Sequence, residues 1–117
     1  MWRPKPPTAM DLPMEPDEDC PAPSFPPGAL VRELVICNRK GLHARATAKL
    51  VQTVERFGCE IWIAKCDEVV GGRSIMGLLT LGAGIGSTIR VAAQGEDGPE
   101  ALDAIAALVA SRFGEPE

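Results

Sequence analysis

The chain has 117 residues, 45% of them apolar, a mean hydropathy of +0.03 and a formal net charge of −4, figures that suit one packed domain. Residues 1–29 hold two cations against five acids, a net of −3, so only −1 belongs to the remainder. A nearly neutral domain lacks the row of Lys and Arg that displaces counterions from a phosphate backbone, and no nucleic-acid partner is expected. No stretch approaches the roughly 20 apolar residues of a membrane span. The start Met1-Trp2-Arg3-Pro4-Lys5-Pro6-Pro7 runs into prolines rather than the apolar stretch of a secretory signal. A cytoplasmic protein with no membrane insertion is therefore expected. The cysteines Cys20, Cys37, Cys59 and Cys66 show no Cys-x-x-Cys spacing, and three sit in or beside apolar, strand-like runs. Buried free thiols in a reducing compartment are the expectation, with no disulfide, metal or other cofactor.

Nine of the eleven prolines precede Leu30, mixed with acids and few aliphatics. Such a segment buries too little apolar surface to offset its ordering entropy, so residues 1–29 read as a disordered extension and residues 30–115 as the domain. Leu30 to Cys37 is rich in β-formers and ends in the polar turn Asn38-Arg39-Lys40-Gly41, which predicts a first strand. Ala46, Leu50, Val51, Val54 and Phe57 then recur at helical spacing, with Gly58 as the expected left-handed residue after the helix. Ile61 to Ala64 and Val69-Val70 bracket a turn at Asp67 and predict a hairpin. Ser74 stands before the apolar Ile75, Met76, Leu78, Leu79 and Leu81 as the cap of a short helix. Ile89, Val91 and Ala93 alternate with Thr88, Arg90 and Ala92 as a half-buried strand. A last helix opens at Pro99 with Glu100 in its first turn and buries Leu102, Ile105, Leu108 and Val109. The order βαββαβα, with helices apolar on one side only, predicts an α+β open-faced sandwich: a four-stranded antiparallel sheet with three helices on one face.

The only histidine in the chain lies in Gly41-Leu42-His43-Ala44-Arg45-Ala46-Thr47-Ala48, where the first strand gives way to the first helix. Neutral imidazole is a competent nucleophile near pH 7 and can form a covalent intermediate that divides one transfer into two. A phosphoryl group on the ring would meet the unpaired N–H groups and positive end of the helix. Arg45 would add a guanidinium able to hold two phosphate oxygens at once. Taken without its neighbours, a histidine at a helix start is more often a cap or a surface residue.

Gly41-Leu42-His43-Ala44-Arg45 closely resembles the active-site signature of the HPr phosphocarriers of the bacterial phosphoenolpyruvate-dependent phosphotransferase system. Ser74-Ile75-Met76-Gly77-Leu78-Leu79-Thr80-Leu81-Gly82 is similar to the region around that family's regulatory serine. His43 and Ser74 lie 31 positions apart, close to the family's spacing, and the resemblance covers residues 30 to about 113. It implies a phosphoryl carrier rather than an enzyme. His43 would be phosphorylated on Nδ1 by enzyme I and would donate to an enzyme IIA-type acceptor, with Arg45 steadying the phosphate. One departure stands out: the family usually has proline directly after that arginine, and this chain has Ala46. Proline is tolerated there because its missing N–H falls among the unpaired donors, so alanine adds a donor and removes a constraint. The fold should survive the change, which bears instead on transfer rate and choice of partner.

The resemblance also implies phosphorylation of Ser74 by an HPr kinase/phosphorylase, beside its role as a cap. The added charge would act on a docking surface rather than unfold the domain. Ala44, Thr47, Ile75, Met76 and Leu79 are the expected docking residues, the methionine suiting several partners by its flexibility. A monomer is expected. Two other readings stay open: a regulatory binding protein of a nitrogen- or carbon-control branch with little sugar-transport flux, and a ferredoxin-like ligand or metal module, for which no paired cysteines or clustered histidines are present.

Overall fold

Four strands and three helices alternate in the computed structural model, which describes residues 21–116. In chain order they are β1 (Leu30–Val35), α1 (Ala44–Val54), β2 (Glu60–Lys65), β3 (Glu68–Gly71), α2 (Ile75–Thr80), β4 (Thr88–Gln94) and α3 (Gly98–Ala110), followed by a 3-10 turn at Arg112–Gly114. The strands form one antiparallel sheet in the order β1-β4-β2-β3. Its register aligns Leu34 with Ile89 and Ile63 with Val91. Period-two alternation then sends Ile61, Ile63, Ile89, Val91 and Ala93 to one face, where all are buried. The helices cover that face with Ala46, Leu50 and Val54 of α1, Leu78 of α2 and Ala101, Ile105 and Val109 of α3. This is the expected open-faced sandwich. Ala92 belongs to the other face yet is also buried, because the register sets it between Val31 and Trp62.

Three local expectations fail. The first strand ends at Val35 rather than Cys37, since Ile36 leaves the β1–β4 ladder to exchange backbone hydrogen bonds with the loop before β4 (Ile36 N–H to Ser87 O, 2.9 Å; Gly86 N–H to Ile36 O, 2.8 Å). Gly58 is not left-handed. Helix α1 ends at Val54 in tightened bonds from Arg56 to Thr53 and from Phe57 to Val54, and the Gly58 N–H donates to Asp97 Oδ2 at 2.8 Å. Among the cysteines, Cys59 is free and buried, Cys37 is free but exposed, and Cys66 is disulfide-bonded. A sequence shows no thiol its neighbours in space, so spacing alone missed both departures. Cys20 and the rest of residues 1–20 lie outside the described residues. Residues 21–29 approach β1 through a turn (Ala29 N–H to Pro26 O, 3.2 Å), and Gln94 Nε2 donates to Pro27 O at 2.8 Å.

No helix among the described residues is long and apolar enough to cross a membrane.

Candidate functional site

The loop from β1 to α1 is shaped by one glycine. Gly41 sits at φ +65°, and a Cβ on it would lie 2.5 Å from the Ala83 carbonyl oxygen. Only glycine fits both the left-handed backbone and the close approach. The adjoining Leu42 N–H donates to that same oxygen at 2.9 Å, and its side chain is buried. The loop is thereby pinned to the chain after α2, and His43 is delivered as the N-cap of α1 with extended backbone (φ −82°, ψ −179°). The His43 carbonyl accepts from Thr47 at 2.8 Å, but the ring makes no capping bond. The first-turn N–H groups of α1 thus have no partner within the helix, and the imidazole is available for other contacts.

One such contact comes from the far end of the chain. His43 Nε2 pairs with Glu115 Oε2. The other carboxylate oxygen, Oε1, accepts from Asn38 Nδ2 at 3.0 Å, and the same amide nitrogen donates to Gly41 O at 2.9 Å. The Asn38 bond, then the His43 bond and charge and the nearby Lys40 ammonium, hold the Glu115 carboxyl below the usual carboxylate range against the opposing effect of burial. Glu115 reaches this place through a sharp reversal. Arg112 (φ 60°) and Phe113 (φ 56°) are both left-handed, a conformation that costs non-glycine residues about 1–2 kcal/mol each. Burial of the whole Phe113 side chain and a 2.7 Å bond from Lys49 Nζ to its carbonyl hold the turn.

Beside the histidine, Arg39, Lys40, Arg45, Glu115 and Pro116 line a hollow of about 280 Å³. Arg45 is exposed and has no partner among the described residues. The arrangement can accept an anion: a half-covered ring (26% exposed) whose Nδ1, like the Arg45 guanidinium, has no partner among the described residues, a cationic rim and a helix N-terminus. Ala46, where the family proline would stand, is fully buried in the core.

The expected docking residues separate. Ala44 is exposed next to His43, while Ile75 and Met76 are exposed on α2 (44% and 71%) and Leu79 is half-buried. Thr47 is not on this surface. It is fully buried, its hydroxyl aimed at Leu42 O (3.4 Å), because it lies within the inward stripe Ala46, Thr47, Leu50, Val51 and Val54. Ser74 caps α2, its Oγ accepting from Gly77 N–H at 3.1 Å. The chain just after α2, at Ala83, is what packs on the histidine loop, and Ser74 stands at the other end of that helix. Sequence reading missed Asn38, Glu115 and the exposed Ile85 (60%), which follows the Ala83-Gly84 backbone that packs on Gly41. The only hint of Glu115 was the apolar Phe113 followed by Gly114, a buried anchor and a turn.

Sheet order and a single helix layer define a small α+β open-faced sandwich with a histidine heading its first helix. Residues 30–111 match the family described as the PTS HPr component phosphorylation site. Phosphocarrier protein HPr of Cupriavidus necator is 47% identical over 88 residues, which are 75% of this chain and 99% of that protein. Phosphocarrier protein NPr of Shewanella violacea is 44% identical over 86 residues, 74% of this chain and 94% of that protein. The crystal structure of HPr-C-His from Thermoanaerobacter tengcongensis superposes with a TM-score of 0.72 at 39% identity, covering 75% of this chain and 99% of that one. The chain belongs to the HPr family of phosphotransferase-system phosphocarriers.

Proposed function

We propose that His43 accepts a phosphoryl group on Nδ1 from phospho-enzyme I and passes it to an enzyme IIA-type acceptor in the cytoplasm. The observation that carries this reading is the division of labour on the ring. Nε2 is engaged by Glu115, whereas Nδ1 has no partner among the described residues and lies in a loop rimmed by Arg39, Lys40 and the unpaired Arg45. In the forward step the Nδ1 lone pair forms the new bond to phosphorus, and the donor's bond to phosphorus breaks with its electrons left on the donor. The second step is the same displacement, with His43 as the leaving group. Arg45 and the first-turn N–H groups of α1 hold the phosphoryl oxygens in both. Ala44, Ile75, Met76 and Leu79 form the docking surface, joined by Ile85. Residues 30–115 suffice for this activity as a monomer. Phosphorylation of Ser74 by an HPr kinase/phosphorylase adds charge to the same surface and slows acceptance.

The test is incubation of the chain with phosphoenolpyruvate and enzyme I, followed by a search for acid-labile phosphate. Labelling of the wild type and none of His43→Ala is the expected result, and equal labelling of both would refute it. The NPr relative at 44% identity favours a second reading, service in a nitrogen-control branch. Transfer from the labelled chain to a regulatory enzyme IIA, with none to a sugar-specific one, would decide for it.

A further inference from the structure

Asn38 is a conspicuous side chain for a role outside the core. It is fully buried, and its Oδ1 has no hydrogen-bond partner among the described residues. An apolar residue of similar size would avoid that penalty. Its amide orientation is not interchangeable, since a flip would set Oδ1 against both the Gly41 carbonyl and the Glu115 carboxylate, two acceptors that need donors. What the amide secures is therefore the pair of bonds made by its nitrogen.

One of those bonds leads to the histidine through Glu115. With Oε1 held by Asn38, Oε2 of the same carboxylate meets His43 Nε2, and the Glu115 side chain is only 12% exposed. An ionised carboxylate accepts and cannot donate, so it selects the ring form that carries hydrogen on Nε2 and leaves the lone pair on Nδ1. We propose that Asn38 and Glu115 are positioning residues of the phosphocarrier site: Asn38 clamps Glu115, and Glu115 locks His43 as the Nε2–H tautomer with Nδ1 free to react. This deepens the proposed function and rests on that reading for its catalytic meaning, though not for its structural content. As Nδ1 takes up phosphorus the ring gains positive charge, which the carboxylate at Nε2 offsets, in the way a buried aspartate supports a catalytic histidine. The other charges around Glu115 are Lys40, Arg39 and Arg45 in the rim, Lys49 of α1 bonded to Phe113 O, and Arg112 bonded to Pro116 O. None of them accepts a hydrogen bond, so none competes for Nε2–H.

The experiment is long-range 15N–1H correlation of the His43 ring in the 15N-labelled full chain, above the ordinary imidazole pKa of about 6.5, and it uses no phosphoryl donor. The wild type should show a protonated Nε2 and an unprotonated Nδ1. Glu115→Ala should move both signals toward the tautomer mixture of a free imidazole. Asn38→Ala should move them the same way, with little further movement in the double variant. If Asn38→Ala leaves the ring as in wild type while Glu115→Ala moves it, Asn38 only braces the turn and the clamp is overturned. If Glu115→Ala leaves the ring unchanged, the whole proposal is overturned. Should Asn38→Ala fail to fold, the Asn38 side-chain amide signals serve instead: their displacement in Glu115→Ala supports the clamp, and unchanged signals overturn it. Initial rates of phosphoryl acceptance should fall several-fold in Glu115→Ala, and an unaltered rate would overturn the catalytic part. A chain that is never labelled, yet shows the locked tautomer, would refute the phosphocarrier reading and leave the clamp standing.

Discussion

His43 and Ser74 occupy equivalent places at the heads of two helices, and the chain uses them in opposite ways. Both have extended backbone (ψ −179° and 100°), and each carbonyl begins its helix. The Ser74 hydroxyl then turns back onto its own helix and accepts from Gly77, satisfying one of the N–H groups a helix start leaves open. The His43 ring makes no such bond and is held instead by Glu115, 72 residues away. Capping by a side chain stabilises a helix by consuming a donor. Leaving the position uncapped preserves the donors and the ring for an incoming anion, and long-range contacts must then fix the geometry that the cap would have fixed.

The largest expected effect follows from that difference. His43→Ala should abolish phosphoryl labelling while shifting the melting temperature by only a few degrees, because no capping bond is lost; a collapse of the fold would mean the ring is structural. Next comes Gly41→Ala, which forces a left-handed alanine and drives its Cβ into the Ala83 carbonyl. A loss of about 2–3 kcal/mol, or roughly 10–20 °C in melting temperature for a domain of this size, should appear in thermal unfolding. An unchanged melting curve would show that the loop is not pinned where the geometry places it.

Much of this was legible in the chain, for reasons that particular residues make plain. The stripe of α1, the alternation of β4 and the serine before α2 are local patterns with one physical cause each, side-chain periodicity or backbone satisfaction, and the structure reproduces them. Thr47 shows a pattern overlooked: four residues after His43, it falls inside the inward stripe with Ala46 and Leu50, so its burial could have been read from periodicity. Gly58 shows a local rule overridden, since its N–H is taken by Asp97 from another element. Glu115 and Asn38 were not legible at all. Their meeting depends on a left-handed reversal at Arg112-Phe113 that only burial of Phe113 and a bond from Lys49 sustain, and no spacing rule spans that distance.

At Ser74 the two roles of the side chain can be separated. Ser74→Ala removes the bond to Gly77 and should cost on the order of 1 kcal/mol with little effect on phosphoryl acceptance. Ser74→Asp can still cap and adds a charge that the helix start favours, so stability should hold. Its effect on acceptance must act from the end of α2 opposite the one that meets the histidine loop, which a charge can do at low salt, where screening extends to roughly 30 Å at 0.01 M. Slower initial phosphorylation of Ser74→Asp than of Ser74→Ala at low salt, with the gap closing as salt rises, is the expected result. Equal rates at low salt would leave Ser74 a cap and nothing more.

The smallest effect concerns Asp97, the residue heading α3, which extends the comparison to a third helix. Its carbonyl accepts from Ala101 at 3.0 Å, but its carboxylate, like the His43 ring, makes no bond to its own helix. Oδ2 instead accepts from the Gly58 N–H in the turn before β2. That backbone bond, and after it the Cys59 thiol, hold the Asp97 carboxyl below its ordinary value of 3.8, with partial desolvation opposing. A carboxyl depressed in the folded state binds its proton more weakly there than in the unfolded chain. Its contribution to stability is therefore fully present above the unfolded value and is lost as pH falls through the folded one. Asp97→Asn keeps an acceptor oxygen for Gly58 but cannot titrate. The stability difference between wild type and Asp97→Asn, measured by urea unfolding, should stay constant from pH 8 to pH 5 and shift against the wild type below about pH 4. Glu115 is depressed in the same direction, but it is present in both proteins and cancels from the difference. A difference that stays flat down to pH 2.5 would mean that the carboxylate does not hold the Gly58 N–H, and that α3, unlike α1, begins without a long-range contact at its head.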